Sequence, residues 1–359
     1  MKSIERTIQV RDERLTVSLN QPVRRWQGNP VLSPSKVNAV WTAPEMQVIT
    51  AHNAGVTRFD GKFIMLFRSH LRNGISVIGK ARSQDGITWK VEKKPAMVPD
   101  NKDDAGGVED PRITKIDDTF YITYSAYHGL EKDRVRVSLA TTKDFNRFEK
   151  HGSLLDVDMR NVVIFHEKIN GKYYALFRPN DHTKDHTGGI FKQILIGHTG
   201  QIENQKWNID NRPIMQQAGG PSSFGDKIGP GAPPIKTRHG WINIFHGVRS
   251  TMDGNPYVLG VALHDCDDLE RLKVSNIPIL FPSEADCVVS VNEYIHVPHV
   301  VFTCGAVRND DGSIFIYYGG NDTVMNLGVT HEDILAELCN QFPQNPLTGR
   351  PEYELKVEG

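Results

Sequence analysis

The chain has 359 residues, of which 42 are basic and 43 acidic, and a formal charge of −1. This balance, without clustered Lys/Arg runs, excludes a basic field for a nucleic-acid backbone, so charge must act locally inside a site. Apolar runs such as residues 297–302 are far too short to span a bilayer. We therefore expect neither a nucleic-acid partner nor a membrane partner.

The N-terminus and the cysteines bear on the cellular compartment. The chain is charged from its second residue and has no apolar stretch there, which predicts no signal peptide. The four cysteines form no C-x-x-C pair, so we expect free, mostly buried thiols rather than disulfides or metal ligands. They are Cys266, Cys287, Cys304 and Cys339. These features predict a soluble protein in the cytoplasm.

One pattern recurs five times along the chain: a turn pair followed by alternating apolar and aromatic residues. Asn-Gly and Asp-Gly between such runs favour type I′ hairpin turns, because both central residues of that turn need φ > 0. Further strand-like segments lie on both sides of each hairpin. The turn pairs are Asp60-Gly61, Asp117-Asp118, Asn170-Gly171, His239-Gly240 and Asp311-Gly312.

Five copies of one strand–turn–strand unit, with little helical periodicity before Glu332–Leu338, predict an all-β fold, a five-bladed β-propeller with a short C-terminal helix. We expect residues 1–359 to form a single domain, with 1–25 as an N-terminal extension and 331–359 as a C-terminal helix and tail. These ends could close the ring of blades or contact a second subunit. A β-sandwich is the alternative, but it does not require the unit to recur five times.

Polar residues occupy positions where the strands would face the central channel of a propeller. Counting from the turn at 60–61 places Asn53 directly opposite Arg68, so that the two side chains touch. Counting from the turn at 170–171 pairs Arg160 near Asp181 and Arg178 near Val163. The two arginines could then reach one ligand only if a bulge interrupts the strand or if Arg160 lies just before the strand.

Two guanidinium groups that converge with Lys227 and His246 would form an anion site suited to phosphate, because arginine matches phosphate oxygens bidentately. The alternative is that both arginines lie at the surface, paired with Asp181 or Asp158. Residue spacing alone leaves both interpretations open.

The sequence resembles glycoside hydrolase family 130, the β-mannoside phosphorylases and related mannosidases, from about Asn29 to Val329. The similarity is greatest to bacterial enzymes that act on β-1,2-linked mannobiose or short β-1,2-mannan. Several separate motifs in one order carry the resemblance: NPVL (29–32), HNAGVTRF (52–59), LFRS (66–69), RNGIS (72–76), GGVEDPRI (106–113), FRPND (177–181), KIGPGAPPI (227–235), FHGV (245–248) and YYGGNDT (317–323).

The resemblance implies a role for eight residues. The proton donor falls on Asp110. Glu109, the residue before it, receives no role, and we interpret it as a structural or solvated carboxylate. The phosphate ligands fall on Arg160, Arg178, Lys227 and His246, and the mannosyl contacts on Asn53, Arg68 and Asp322.

Glycoside cleavage ordinarily uses two carboxyl groups, but phosphate is already anionic and can attack without a base when cations hold it. The resemblance therefore implies a single-step, inverting phosphorolysis of β-1,2-mannobiose or short β-1,2-mannooligosaccharides. The products would be α-D-mannose 1-phosphate and mannose or a shortened acceptor. We expect no metal and no cofactor, with inorganic phosphate as co-substrate, and a homodimer or higher homo-oligomer.

Other functions stay open at this point. They are a hydrolase or a phosphorylase of another linkage, such as β-1,4-mannosyl-glucose, in the same family; a non-catalytic glycan-binding propeller; and a five-bladed arabinan- or fructan-cleaving enzyme. The last needs three acidic positions, whereas only Asp110 and Asp322 lie at comparable places.

Acceptor preference would depend on loops such as 179–190 and 249–257. Aromatic residues could stack on sugars or belong to the core: Tyr127, Tyr257 and Tyr294.

Overall fold

The structure, a computed structural model, describes residues 3–129, 134–179, 193–204, 206–210, 212–218, 222–252, 254–289 and 293–354. Nearly all of its regular elements are β-strands. The helices are α1 (Pro34–Asn38) and α2 (Glu332–Gln341), with single 3-10 turns at Pro44–Met46 and Glu284–Asp286. The all-β prediction and the short helix near the C-terminus are thus confirmed.

A hairpin and a short strand precede the repeated units. Strands β1 (Glu5–Val10) and β2 (Glu13–Ser18) form a two-stranded antiparallel sheet. Apolar residues alternate with polar ones in both strands, and the apolar set is buried, as expected for strands with one face on a core. A two-residue strand, β3 (Arg24–Arg25), follows.

Five groups of strands come next, and each group contains one of the five predicted turn pairs. The groups are β4 (His52–Phe59), β5 (Lys62–His70), β6 (Ser76–Ser83) and β7 (Lys90–Val91); β8 (Gly107–Ile116), β9 (Thr119–Tyr127), β10 (Val135–Thr142) and β11 (Glu149–Ser153); β12 (Met159–Ile164), β13 (Tyr173–Pro179), β14 (Gln193–Thr199), β15 (Asn208–Ile209) and β16 (Met215–Gln216); β17 (Lys227–Pro230), β18 (Ile235–Thr237), β19 (Gly240–Val248), β20 (Tyr257–His264) and β21 (Leu272–Ser275); and β22 (Val301–Arg308), β23 (Ser313–Gly320) and β24 (Val324–His331).

The turn geometry explains the choice of residues in two of these hairpins. Both central residues have positive φ at Asp60-Gly61 (49° and 69°) and at Asn170-Gly171 (51° and 78°), as a type I′ turn requires. At the second turn pair only Asp117 has a positive φ. The hairpins therefore form at the predicted places, with more than one turn geometry.

Both ends of the chain join the sheets of the repeated units. Arg24 and Arg25 of β3 pair with Val329 and Gly328 of β24, so the N-terminal segment adds a strand to the last sheet. Strand β25 (Pro343–Gln344) pairs with β21 of the fourth group. The first two groups share one sheet through a single parallel bridge between Ser76 and Gly107.

The first strands of the groups lie against one another near the site. Strand β4 contacts β8 and β22, and β12 contacts β8 and β17. The approach of β22 to β4 requires glycine, because a Cβ on Gly305 would lie 2.6 Å from the Val56 nitrogen. A Cβ on Gly55 would similarly lie 2.6 Å from the Pro111 carbonyl oxygen. This close packing brings polar residues from several groups into one place.

Two further features bear on the expectations from the sequence. Among the described residues, no helix is long and apolar enough to cross a membrane. All four cysteines are free, as predicted, but only Cys304 and Cys339 are buried, while Cys266 is exposed.

Candidate active site

Three residues of the site lie at the same kind of backbone irregularity. Strands β4, β8 and β12 each contain a register shift in their pairing with the next strand. The residues Asn53, Asp110 and Asn161 lie at these bulges with φ of 47°, 51° and 59°. Asparagine and aspartate tolerate this left-handed conformation better than other non-glycine residues. The bulges redirect these side chains, as bulges next to active sites commonly do.

The bulge in β4 makes the predicted pairing of Asn53 wrong. The partner of Arg68 across the ladder is His52, because the register shifts by one residue between His52 and Gly55. Nearer the turn the predicted register holds, with Phe59 opposite Lys62. Asn53 and Arg68 nevertheless meet at a third residue, Asp110.

The pairings predicted for the two arginines are also wrong, whereas one of the two conditions for their convergence, a bulge in the strand, is met. Arg160 lies directly opposite Arg178, and Val163 pairs with Leu176 rather than with Arg178. The register has shifted by two residues between the turn and the strand and by one more at the bulge. Asp181, the other predicted partner, lies outside the described residues, as do most of loop 179–190 and part of the FRPND motif.

Asp110 is held by two donors that bind the same oxygen. Asn53 Nδ2 and Arg68 Nη1 both donate to Oδ1, each at 3.1 Å. Within the described part of the chain, Oδ2 receives no hydrogen bond. The Asp110 side chain is 11% exposed, so it is largely buried but reachable. Such an arrangement fixes the orientation of the carboxyl group and leaves one oxygen to carry a proton.

Arg68 also binds the carboxylate of Glu109, at 2.9 Å from Nη2 to Oε1. Ser76 Oγ donates to the same oxygen at 2.7 Å. Burial opposes the charge of Glu109, but Arg68, His70 and Ser76 outweigh it and lower its pKa to about 2. Glu109 is buried, so the interpretation as a solvated carboxylate is wrong.

Asp322 completes the group of acids around Arg68. Burial raises its pKa, Arg68 opposes this effect, and Asp110 adds to it, so that the pKa reaches about 6. Asn53 also binds Asp322 and favours its ionised form. The single guanidinium of Arg68 therefore faces three carboxyl groups. If all three were ionised, negative charge would exceed positive charge here, and this excess favours a proton on one of the three.

Arg112, which the sequence analysis did not single out, connects the acid to the arginine pair. This residue is 2% exposed. Nη1 donates to the Asp110 carbonyl oxygen at 2.9 Å, Nη2 to Asn161 Oδ1 at 3.1 Å, and Nε to the Gly231 carbonyl oxygen at 2.8 Å. It therefore ties together the bulge of Asp110 and the bulge next to Arg160.

A group of cations lies on this side of the site. Arg178 is 1% exposed, and its Cδ and the His246 ring both approach Gly229 so closely that a Cβ there would lie 2.7 Å and 2.5 Å from them. Burial, then Arg178, Lys227 and Arg112, lower the pKa of His246 well below its ordinary value, so the imidazole is neutral. Its Nδ1 is buried without a hydrogen-bond partner among the described residues.

Tyr257 supports this group of cations. Its hydroxyl oxygen lies 3.2 Å from Lys227 Nζ, which donates to it. Its ring stacks on His246, with centroids 5.9 Å apart and planes 22° apart. Tyr257 is therefore placed to position Lys227 and His246, a role that the sequence analysis did not consider.

Arg160 has no carboxylate partner among the residues that the structure describes. In the described ranges, no hydrogen bond or ion pair joins its guanidinium to another side chain, and its Cζ lies 6.0 Å from the centre of the Tyr127 ring. Asp158, one partner considered from the sequence, binds Arg136. Since Arg178 is fully buried, the interpretation of both residues as surface arginines is wrong. A half-buried guanidinium that no described carboxylate binds is suited to an anionic ligand.

Metal ligation has no support from the described residues, among which no group of three His, Cys, Asp or Glu side chains is arranged to hold an ion. The expectation that the reaction needs neither a metal nor a cofactor stays a prediction.

A buried carboxyl group beside several cations can supply a proton and hold an anion, and comparison with known proteins specifies the class of enzyme. The family profile described as β-1,4-mannooligosaccharide phosphorylase matches residues 22–341. The chain belongs to this family, glycoside hydrolase family 130, and is an enzyme.

The relatives by sequence include a 1,2-β-oligomannan phosphorylase from Thermoanaerobacter sp. (strain X514), which is 32% identical over 86% of this chain and 96% of the relative. A β-1,2-mannobiose phosphorylase from Listeria innocua is 30% identical over 84% of this chain and 94% of the relative. A solved structure of the β-1,2-mannobiose phosphorylase from Listeria innocua in complex with β-1,2-mannobiose matches with a TM-score of 0.75 and 26% identity, over 89% of this chain and 99% of that one.

Proposed function

We propose that the enzyme cleaves β-1,2-mannobiose or short β-1,2-mannooligosaccharides with inorganic phosphate, giving α-D-mannose 1-phosphate and mannose or a shortened acceptor. The relatives that act on β-1,2 linkages are 30–32% identical to this chain. The observation that carries the phosphate half of the proposal is the pair of opposed arginines, one of which, Arg160, has no carboxylate partner among the described residues.

The proposed roles follow the two halves of the site. Asp110 is the general acid. Arg160, Arg178, Lys227 and His246 hold the phosphate, and Asn53, Arg68 and Asp322 hold the mannosyl group that is transferred. His246 is neutral in this arrangement, so it can donate one hydrogen bond to phosphate without adding charge.

The reaction needs one acid and no base. A phosphate oxygen forms a bond to the anomeric carbon while the bond from that carbon to the bridging oxygen breaks. The proton of Asp110 passes to the bridging oxygen through a mannosyl hydroxyl. Attack from the face opposite the leaving group inverts the β-linkage to the α-phosphate. Fixing the nucleophile can supply up to ~7–11 kcal/mol in well-oriented systems, and the acid about 10²–10⁴-fold in rate.

We further propose that residues 1–359 form one five-bladed propeller, in which each repeated group is a blade. The contacts of β4 with β8 and β22, and the pairing of β3 with β24, support this arrangement. In this proposal the protein works in the cytoplasm as a homodimer or higher homo-oligomer, with the mannoside and phosphate as its partners.

Phosphorolysis of another linkage is less well supported by similarity. A 4-O-β-D-mannosyl-D-glucose phosphorylase from Bacteroides fragilis is 28% identical and a β-1,4-mannooligosaccharide phosphorylase from Ruminococcus albus is 27% identical to this chain. Hydrolysis would need a carboxylate base in the place where the structure has arginines.

Incubation with β-1,2-mannobiose, with and without phosphate, tests the proposal. We expect mannose 1-phosphate and mannose in equal amounts, and only when phosphate is present. Free mannose in the absence of phosphate would indicate a hydrolase. Cleavage of β-1,4-mannobiose in preference to the β-1,2 isomer would contradict the proposed linkage.

A further inference from the structure

We propose that Glu109 is a positioning residue for the general acid: it holds Arg68 so that this guanidinium binds one oxygen of Asp110 and leaves the other for the proton. The proposal rests on the function proposed for Asp110. It assigns to Glu109 a role that the sequence did not suggest.

The geometry divides the two ends of one guanidinium between two carboxylates. Arg68 Nη1 donates to Asp110 Oδ1 at 3.1 Å, and Nη2 lies 2.9 Å from Glu109 Oε1. A bidentate grip of Arg68 on Asp110 would be the alternative, because a guanidinium fork matches a carboxylate. That grip would occupy both oxygens of the acid. Glu109 prevents it by holding Nη2.

Glu109 is itself fixed by its neighbours. Ser76 Oγ donates to Oε1 at 2.7 Å, and His70 Nε2 lies 3.6 Å from the same oxygen. His70 Nε2 also lies 2.9 Å from Arg68 Nη2. The Glu109 side chain is buried, and its lowered pKa keeps it ionised at every pH at which the enzyme would work. A buried, ionised carboxylate that is held this firmly can act as a permanent counter-charge.

The negative charge of Glu109 also offsets part of the positive charge of Arg68. It thereby weakens the attraction between Arg68 and the ionised form of Asp110. The charged and titratable groups that face Asp110 are Arg68 from β5, Glu109 from its own strand, Asp322 from the turn after β23, Arg112 at its carbonyl oxygen and Cys304 from β22. His70 and His296 lie beside Arg68 and Glu109. Without the charge of Glu109, Arg68 would interact more strongly with the Asp110 carboxylate, which favours the ionised form over the protonated form that donates.

Glu109→Gln separates this role from simple packing, because it keeps the size of the side chain and removes only its charge. Ser76→Ala is the milder variant, since among the described residues the Ser76 hydroxyl donates to Glu109 Oε1 alone. Glu92→Gln is the matched control: it breaks an Arg–Glu pair with Arg82, at 3.0 Å, away from the site. The measurements are phosphorolysis rates against pH, the phosphate KM and the thermal midpoint of each full-length variant.

We expect Glu109→Gln to lower kcat at neutral pH by about 10-fold or more, since a positioned acid is worth about 10²–10⁴-fold. The basic limb of its pH–rate profile should move to lower pH by about one unit. The phosphate KM should stay within about twofold, because phosphate is bound elsewhere. Ser76→Ala should shift the limb in the same direction by less, and Glu92→Gln should match the wild type.

A pH profile of Glu109→Gln that superimposes on that of the wild type would overturn the proposal, and so would a loss of rate explained by a lower thermal midpoint alone. If the wild type forms no mannose 1-phosphate, the proposed function fails, and a crystal structure of Glu109→Gln then tests the positioning directly. Arg68 should leave its single contact with Asp110 Oδ1, either binding both oxygens or turning away. An unchanged Arg68 would refute the role of Glu109.

Discussion

Arg160 and Arg178 lie directly opposite each other on neighbouring strands, although two like charges at such a position repel. Arg178 is fully buried and Arg160 has no carboxylate partner among the described residues. Two adjacent cations of this kind favour the binding of an anion that offsets their repulsion, and the proposed anion is the phosphate that the reaction consumes. In the proposed reaction these two guanidinium groups hold the attacking phosphate.

The arginine pair gives the first prediction. Arg178→Ala and Arg160→Ala should each raise the phosphate KM at least about 10-fold, because each removes a charge-assisted contact to the same anion. Initial rates at varied phosphate and fixed mannoside measure this effect. The double variant should lose less than the sum of the single losses, since the two groups share one ligand. An unchanged phosphate KM in both single variants would refute the phosphate site.

The proposed proton donor, Asp110, gives the second prediction. Asp110→Asn keeps the oxygen that accepts from Asn53 and Arg68 and replaces the oxygen that would carry the proton. We expect kcat to fall about 10³-fold or more and the affinity for mannoside to change by only a few fold. Single-turnover rates and calorimetric binding of β-1,2-mannobiose test the two halves. Retained phosphorolysis would transfer the role of acid to another residue.

Asp322 gives a prediction about pH and stability. Its pKa is raised to about 6 by burial, so the folded state binds this proton more tightly than the unfolded state, where the pKa is about 3.9. The stability that comes from this proton is present below about pH 4 and is lost as the pH rises through about 6. The loss is at most about 3 kcal/mol, and less where water reaches the carboxyl group.

Asp322→Asn should therefore raise the thermal midpoint at pH 7–8 relative to the wild type and have little effect near pH 4. Asp85→Asn is the control of opposite sign: burial there is outweighed by hydrogen bonds from the backbone and from Arg11 and Ser83, and the pKa of Asp85 is lowered. That variant should lose stability at neutral pH. A difference between Asp322→Asn and the wild type that does not depend on pH would contradict the raised pKa.

The hairpins could be predicted from the sequence, whereas the register near the site could not. Turn pairs such as Asp60-Gly61 favour positive φ through their residue types alone, and the folded chain has positive φ at both residues. A bulge shifts the ladder by one residue without changing the apolar alternation nearer the turn, and so the pairing of Asn53 was misplaced. A signal existed: Asn53, Asp110 and Asn161 are residue types that tolerate left-handed backbone, at matching places in three units.

The burial and the partners of the charged residues could not be predicted from the sequence either. Glu109 is buried because Arg68 and Ser76, which lie far from it along the chain, supply its partners. Only the fold reveals such partners, since pairing in a buried site is a tertiary property. Arg112 gave one hint, a charged residue among apolar neighbours in the predicted strand at Ile113 and Ile116. The three hydrogen-bond acceptors of Arg112 could not be predicted from the sequence.

Arg112 gives the last prediction, because it is the only described side chain that binds both the backbone of the acid and the residue next to Arg160. Arg112→Lys keeps the charge but cannot reach the Asp110 carbonyl, Asn161 and the Gly231 carbonyl together, since lysine presents one nitrogen. We expect kcat to fall and the phosphate KM to rise in the same variant, each about 10-fold, with a loss of about 1–3 kcal/mol of stability for each buried acceptor left unsatisfied. Asn161→Ala removes only one of the three contacts, so it should raise the phosphate KM while changing kcat less. Kinetics and urea unfolding of both variants measure these effects, and a loss confined to kcat in Arg112→Lys would show that the acid and the arginine pair are held independently.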